Sequence, residues 1–224
     1  MPTDLRTHAI VLRRTNYGEA DRILNFLTPT GKVSALARGV RKEKSRLAGS
    51  IELFSVADIV VHQGHSELGT LTSAKMVRFY GGLLSDVEKL ELASSFLKKL
   101  SRASEQFSSP EHFSLLDQAL SGLNQSFSTD LVEAWFLLNL ARIGGEELNL
   151  LRDVHGDELD AELQYSWDAD ENALAPDLHG NLGANEIKFV RFLLANPLAW
   201  ATKVSGFEQF LPPIKPLALQ FCSN

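Results

Sequence analysis

A dense run of cations between residues 37 and 47 is the feature of this sequence with the clearest chemical meaning. Five of these eleven residues are Lys or Arg, and one is acidic. Cations at this density neutralise phosphates and release their counterions, which is the sequence-independent source of nucleic-acid affinity. A solvated surface loop without a ligand is the alternative. If the segment binds phosphate, we expect the contacts to come from Arg38, Arg41, Lys42, Lys44 and Arg46.

Further cations and several aromatic residues lie in the same N-terminal part of the chain. Arg13, Arg14 and Arg22 are the second group of residues that we expect to contact DNA phosphates. Bases also stack on exposed aromatic rings in proteins that bind single strands. The residues that could supply such a ring are Tyr17, Phe54 and Tyr80. For Phe54, a position in the hydrophobic core is an equal alternative.

Patterns typical of catalysis, metal binding and cofactor binding are weak throughout the sequence. Residues 153–158 combine acidic side chains with a histidine, but no second histidine stands at ligand spacing, which favours an exposed turn. There is no Gly-x-Ser-x-Gly motif, and Gly31–Lys32 lacks the upstream glycine of a phosphate-binding loop. The only cysteine is Cys222. We therefore expect no catalytic residue, no bound metal and no cofactor.

The hydrophobic pattern that must position these residues changes at Gly81–Gly82. Before this point, five short β-prone runs alternate with turn residues, which predicts a small, closed, five-stranded barrel over residues 1–80. After it, apolar residues recur at steps of three and four, which predicts an α-helical domain over residues 81–224. Residues from about 150 to 184 are acidic and irregular, with a short strand pair around Leu163–Trp167. The predicted fold class is α+β.

Helix starts are indicated by side chains that accept hydrogen bonds from free backbone N–H groups. Three of the predicted amphipathic helices are preceded by such capping residues, which are Ser109, Asp130 and Asn185. The tail after residue 211 contains three prolines, so we expect only short helical pieces there.

The net charge of −6 conceals an uneven distribution. Residues 1–80 contain 12 Lys or Arg against 7 Asp or Glu, whereas residues 81–224 contain 10 against 21. This asymmetry favours a basic binding face joined to an acidic partner. No apolar run is long enough to span a bilayer, the first residues lack the pattern of a signal peptide, and a single cysteine suits a reducing compartment. We expect a cytoplasmic protein without a membrane partner.

Several short motifs in the N-terminal part follow one another in a specific order. They are Tyr17–Arg22, Leu27–Pro29 with Gly31–Lys32, Ala37–Arg41, Ser45–Leu47 and Leu71–Ala74. This ordered set resembles the N-terminal OB-fold domain of the RecO family of recombination mediators, over about residues 5–80. The later helices resemble the helical domain of that family more loosely, through residues 135–138 running into Gly144–Gly145.

The resemblance implies a DNA repair and recombination mediator that is not an enzyme. It implies binding of single- and double-stranded DNA and annealing of complementary strands. It also implies a RecR-like partner, with which the protein would load a RecA-like recombinase onto strands coated by single-stranded DNA-binding protein.

Two finer expectations come from the same resemblance. Many family members carry four zinc-binding cysteines after the third helix, and this sequence has none there, so residues from about 150 to 184 would be a degenerate zinc-ribbon-like insertion without zinc ligands. Family members also hold the acidic, hydrophobic-ended tail of single-stranded DNA-binding protein in their helical domain. Such a tail needs a cation beside an apolar pocket, and Arg142 or Arg152 could supply it. A core or surface role for both arginines is the alternative.

Two other functions remain open from the residues alone. An OB-fold adaptor would use the acidic helical half as its protein-binding surface and touch DNA only incidentally. A hydrolase would use a carboxylate site that includes Asp153 and Asp157. Salt-resistant partner capture without DNA binding would favour the adaptor, and metal-dependent turnover would favour the hydrolase.

Overall fold

Five strands form the N-terminal part of the computed structural model, which describes residues 3–64, 66–106, 109–146 and 148–221. They close into a barrel in the order β1-β2-β3-β5-β4, in which only the β3–β5 pair is parallel. The predicted number of strands is confirmed. Their bounds are Thr3–Tyr17 (β1), Asp21–Thr28 (β2), Gly31–Ala37 (β3), Ser55–Gln63 (β4) and Gly69–Phe79 (β5).

The first strand is long because it pairs along both of its edges. Its N-terminal half pairs with β4 and its C-terminal half with β2, and the register shifts between Val11 and Arg13. A bulge of this kind bends a strand and increases its twist, which lets one strand serve both sides of a closed sheet. Alternate side chains such as Val11, Phe26 and Ile59 fill the barrel interior.

Two helices complete the first compact unit, which extends from Met1 to Asn124. Helix α1 (Val87–Gln106) contacts β1 and β3, and helix α2 (Pro110–Asn124) contacts β2. Residue 80 therefore marks the change from strand to helix, as the sequence indicates, whereas the compact unit continues for two helices beyond it. The reason is that the outer face of the barrel is also apolar, and these helices cover it.

Polar contacts at two points fix the helices to the barrel. The ammonium of Lys32 in β3 donates to the Glu105 carboxylate (2.8 Å) and to the Ser101 carbonyl (3.3 Å) in α1. Directly after β5, the buried Tyr80 hydroxyl donates to the Asp117 carboxylate in α2 (2.6 Å). Packing and these bonds together make barrel and helices one unit.

The second compact unit, Gln125–Asn224, combines helices with a small sheet. Its helices are α3 (Thr129–Ile143), α4 (Ala184–Ala195), α5 (Leu198–Ala201) and α6 (Leu211–Gln220). Its strands are β6 (Asn149–Asp153), β7 (Tyr165–Asp168) and β8 (Ala173–Pro176), in the order β6-β8-β7. The part predicted to be irregular thus forms three strands, and the predicted strand pair corresponds to β7 and β8. No described helix is long and apolar enough to cross a membrane.

Three helix predictions need correction at their ends. Helix α3 is capped by Ser128, whose hydroxyl accepts from the Leu131 amide, rather than by Asp130. Helix α4 starts before Asn185, because the Glu186 carboxylate accepts from the Gly183 amide and fixes the start there. The proline-rich tail forms ten helical residues, since two of its prolines occupy the first turn, where no amide donor is needed.

Candidate nucleic-acid interface

The basic loop (residues 38–46) is attached to the barrel by apolar side chains on and beside it. Val40 and Ile51 are almost completely buried in the barrel core, and Leu47 packs against the same core. These residues alternate with charged ones along the connection from β3 to β4. The chain between the attachment points is therefore directed outward, with its cations on the surface.

Backbone hydrogen bonds hold the same loop against the turn between β1 and β2. The Gly39 amide donates to the Asp21 carboxylate (2.6 Å), with Gly39 at a φ of +62° that favours glycine. The Arg41 amide donates to the Ala20 carbonyl (2.9 Å), and its guanidinium donates to the Gly18 carbonyl (3.3 Å). The loop is thus positioned by several bonds, which distinguishes it from an unrestrained surface segment.

The five cations of the basic loop present their charge to solvent. All five are exposed, and a single carboxylate, that of Glu43, lies among them. None of the five forms an ion pair with any residue that the structure describes. Unpaired, solvated cations can exchange water and counterions for phosphate without first breaking an internal salt bridge. The predicted group is therefore brought together: Arg38, Arg41, Lys42, Lys44 and Arg46.

Two of the predicted residues flank the β1–β2 turn against which the basic loop is held. Arg22 lies opposite Ala37, the residue directly before the basic loop, and its Nε donates to the Asn16 side-chain oxygen (3.1 Å). Tyr17 ends β1 with 54% of its surface exposed. A base could stack on the Tyr17 ring. The other two aromatic candidates, Phe54 and Tyr80, are buried and cannot stack on a base.

The remaining N-terminal candidates, Arg13 and Arg14, lie farther back along β1 and away from the turn. The Arg14 guanidinium is paired with the Glu52 carboxylate, whereas Arg13 is exposed. Both line a concavity of about 670 Å³ between the barrel and α1. The structure therefore separates them from Arg22, with which the sequence had grouped them.

Helix α1 adds two cations to that concavity that sequence reasoning missed. Lys98 and Arg102 are exposed and one helical turn apart, and both line the concavity. The usable signal in the sequence is the i, i+4 spacing of two cations on the polar side of an amphipathic helix. It does not tell which barrel strand lies opposite.

The two arginines predicted to receive an acidic tail occupy different settings in the second unit. Arg142 is exposed in the last turn of α3. Arg152 in β6 donates to the Gly156 carbonyl (2.7 Å) and lies 3.8 Å from the Glu158 carboxylate. Arg152 also lines a concavity of about 360 Å³ together with the exposed Leu151. Arg142 is not among the residues that line it.

The acidic segment considered for hydrolysis has a structural explanation. Asp153 is buried, and its carboxylate accepts from the amides of His155 (2.8 Å) and Asp157 (3.0 Å). A carboxylate used in this way closes a turn and is not directed at a substrate. Among the described residues, no group of three or more His, Cys, Asp or Glu side chains is arranged to hold a metal ion. Cys222 lies outside the described residues.

These features define a class of protein, namely an α+β protein in which a small β-barrel carries a fixed, solvent-facing basic loop. Residues 1–80 match the family described as "Recombination protein O N terminal". The first 80 residues therefore contain the N-terminal domain of the RecO family, and the similarity of the chain to proteins of this family indicates a role in DNA repair and recombination.

Similar proteins from several bacteria carry the name DNA repair protein RecO. The protein from Dehalococcoides mccartyi (strain 195) is 28% identical over 206 residues, which are 88% of this chain and 81% of the relative. The Heliobacterium modesticaldum protein is 37% identical over 183 residues, covering 80% of this chain and 64% of the relative. The Rubrobacter xylanophilus protein is 35% identical over 142 residues, covering 62% of this chain and 57% of the relative. The chain thus spans less than two thirds of the last two proteins.

Proposed function

We propose that this protein binds single- and double-stranded DNA through the basic loop of its barrel and anneals complementary strands. With a RecR-like partner, it would help to load a RecA-like recombinase onto strands coated by single-stranded DNA-binding protein. This work takes place in the cytoplasm. It requires charge neutralisation and protein contacts but no bond-making residue, so the protein is not an enzyme.

The observation that carries this proposal is the fixed basic loop. Five exposed cations against one carboxylate, held on the barrel by Val40, Leu47 and the bond from Gly39 to Asp21, form a preorganised phosphate-binding surface. A loop positioned in advance loses less conformational freedom on binding than an unrestrained one.

The strand order supports an OB-type barrel. The order β1-β2-β3-β5-β4, with β3 parallel to β5 and β1 shared by both sides, is that of a five-stranded Greek-key barrel. OB barrels bind oligonucleotides through a combination of basic grooves and aromatic rings. Tyr17 beside the basic loop supplies the ring that this mode of binding requires.

The decisive experiment is a DNA-binding titration at several salt concentrations. Replacing Arg41, Lys42 and Lys44 with alanine removes three phosphate contacts, each contributing about 0.7 to the log–log salt slope for single strands. We therefore expect the slope to fall by about two, and affinity for unrelated sequences to fall to the same extent. Stability should change by less than about 0.5 kcal/mol, since the three side chains are exposed.

A matched control removes the same net charge elsewhere. Lys75, Lys188 and Lys203 are exposed and lie outside the basic loop, so their triple alanine variant should keep the parent slope. If the loop variant is folded and binds DNA with the parent's affinity and slope, the proposed function is wrong. Equal losses in both variants would mean that only overall charge matters.

The second unit would hold the tail of single-stranded DNA-binding protein. Arg152 beside the exposed Leu151 offers the combination of cation and apolar surface that an acidic, hydrophobic-ended tail requires. We expect the Arg142→Ala, Arg152→Ala double variant to bind a fluorescent peptide of that tail at least tenfold more weakly than the parent. The Lys203→Ala variant is the control. Unchanged affinity in the double variant would eliminate this position for the tail.

A further inference from the structure

The concavity between the barrel and α1 is a second basic surface within the first compact unit. Its floor is formed by Leu12, Leu53 and Leu97. Its rim carries four cations and one carboxylate, and these charged residues are Arg13, Arg14, Lys98, Arg102 and Glu105.

The two acidic groups near the rim are already engaged within the protein. Glu105 accepts a hydrogen bond from Lys32 (2.8 Å), which holds the pKa of this carboxyl below its usual range, with smaller contributions from Arg102 and Arg13. Glu52 is paired with Arg14. Arg13, Lys98 and Arg102 form no ion pair with any described residue and remain available to an external anion.

Arg13 connects this concavity to the basic loop along a single strand. Arg13, Thr15 and Tyr17 alternate along β1 and are all exposed, so their side chains project to the same side of the strand. Tyr17 adjoins the β1–β2 turn against which the basic loop is held. Tyr17 is four positions along the chain from Arg13, which corresponds to about 13 Å of extended strand. Cations and an aromatic ring therefore follow one another along one surface.

We propose that single-stranded DNA bound at the basic loop continues along β1 into this concavity, where Arg13, Lys98 and Arg102 contact its phosphates. This inference rests on the proposed function and extends it. The binding surface then includes helix α1, which lies beyond residues 1–80. The added length agrees with the range of about 4–16 nucleotides that single OB barrels cover.

Continuity with the basic loop favours DNA over an acidic peptide as the occupant. The leucine floor alone would suit an apolar side chain of a peptide as well as a sugar or base edge. A peptide, however, would use the concavity by itself and would leave the row of exposed side chains on β1 without a role. A nucleic-acid strand carries a phosphate at every step and can use the cations at both ends of that row.

The test compares oligothymidylates of increasing length, from about 4 to about 30 nucleotides, chosen to bracket the site sizes of OB barrels. For the shortest oligonucleotides whose binding can be measured, the Lys98→Ala, Arg102→Ala variant should have the same affinity as the parent. With long ones, its salt slope should be lower than that of the parent by about 1.4, since two contacts of about 0.7 are lost. The Arg13→Ala variant removes one contact on β1, so its salt slope with long oligonucleotides should be lower than that of the parent by about 0.7, with no change for the shortest ones.

Controls separate this inference from the proposed function. The Lys75→Ala, Lys188→Ala variant has the same change in net charge and should bind all lengths as the parent does. The loop variant with Arg41, Lys42 and Lys44 replaced should lose affinity at every length. If the loop variant binds DNA as the parent does, the proposed function is refuted. If the loop variant loses affinity but the Lys98→Ala, Arg102→Ala variant keeps the parent's salt slope at every length, only the extension is refuted.

A peptide probe decides the remaining alternative. A fluorescent peptide of glutamates around one leucine should bind the parent and the Lys98→Ala, Arg102→Ala variant equally weakly. Tight binding to the parent that is lost in the variant, together with unchanged binding of long oligonucleotides, would show that the concavity receives acidic peptides. Both substituted side chains are exposed, and thermal unfolding of the variants checks that they remain folded.

Discussion

At the scale of single residues, Tyr17 and Tyr80 show how one residue type takes two unrelated roles in the same barrel. Tyr17 has 54% of its surface exposed beside the basic loop, whereas 2% of Tyr80 is exposed. Burial raises the pKa of Tyr80, followed by its bond to Asp117, so its hydroxyl remains a donor at neutral and alkaline pH. Exposure, which the sequence does not give, makes the Tyr17 ring available to the proposed binding surface and places Tyr80 in the core.

The Tyr17 side chain gives a prediction that separates stacking from charge. Replacing Tyr17 with alanine should weaken single-strand binding by about 1–3 kcal/mol without changing the salt slope, because a stacked base contributes through its ring and not through counterion release. Replacing it with phenylalanine keeps the ring and should keep the affinity. The measurement is a fluorescence titration with an oligothymidylate at fixed salt. Equal losses in the two variants would show that the hydroxyl, not the ring, makes the contact.

At the scale of elements, a small polar cluster adds to the packing that attaches α2 to the barrel. The Arg78 guanidinium donates to the Tyr80 hydroxyl (3.0 Å) and to the Asp117 carboxylate (3.2 Å), and Tyr80 donates to the same carboxylate. The guanidinium also lies over the Tyr80 ring, 5.8 Å from its centre. The cluster joins the last residues of the barrel to the middle of a helix that follows it.

Removing one hydroxyl from this cluster should measure its strength. We expect Tyr80→Phe to lower the free energy of unfolding by about 1.5–3 kcal/mol, the usual contribution of a hydrogen bond to a charged group, because the ring still packs. Urea unfolding is the measurement, and a double-mutant cycle with Asp117→Asn is the control. If the losses of unfolding free energy in the two single variants add up to the loss in the double variant, the Tyr80 and Asp117 side chains have no stabilising interaction with each other.

At the scale of the whole molecule, charge is distributed unequally between the two compact units, and the proposed functions follow this distribution. Unit Gln125–Asn224 contains 6 Lys or Arg against 15 Asp or Glu, whereas the exposed basic loop lies in unit Met1–Asn124. An acidic surface repels a polyanion, so the second unit is suited to protein partners. Hydrolysis at its acidic segment is not supported, since Asp153 closes a turn.

Hydrogen exchange of the full chain with and without an oligothymidylate tests this division. We expect slower exchange in residues 13–22 and 38–46 when DNA is bound, and no change in residues 149–176. The reason is that, of these segments, those in the first unit offer unpaired cations to phosphate. Repeating the measurement at about 1 M salt, where charges are screened within about 3 Å, should abolish the difference. Protection in residues 149–176 would contradict the division of roles.

The sequence alone determined the features that arise from local pattern. The alternation of β-prone runs with turn residues predicted five strands before Gly81–Gly82, and helical spacing predicted α1–α3 after it. The position of the basic loop between β3 and β4 also followed from the sequence, since charge density is a local property. These predictions succeeded because strand period, helix period and turn residues act over a few neighbouring positions.

Only the tertiary structure decided which of the predicted residues share a surface. Arg14 is paired with Glu52, Arg22 adjoins the basic loop, and Arg13 faces helix α1. The first unit extends to Asn124 because contacts such as Lys32 to Glu105, 73 residues apart, join barrel and helices. Such pairings depend on how apolar faces pack, and packing is a property of the whole chain that no short window of sequence contains.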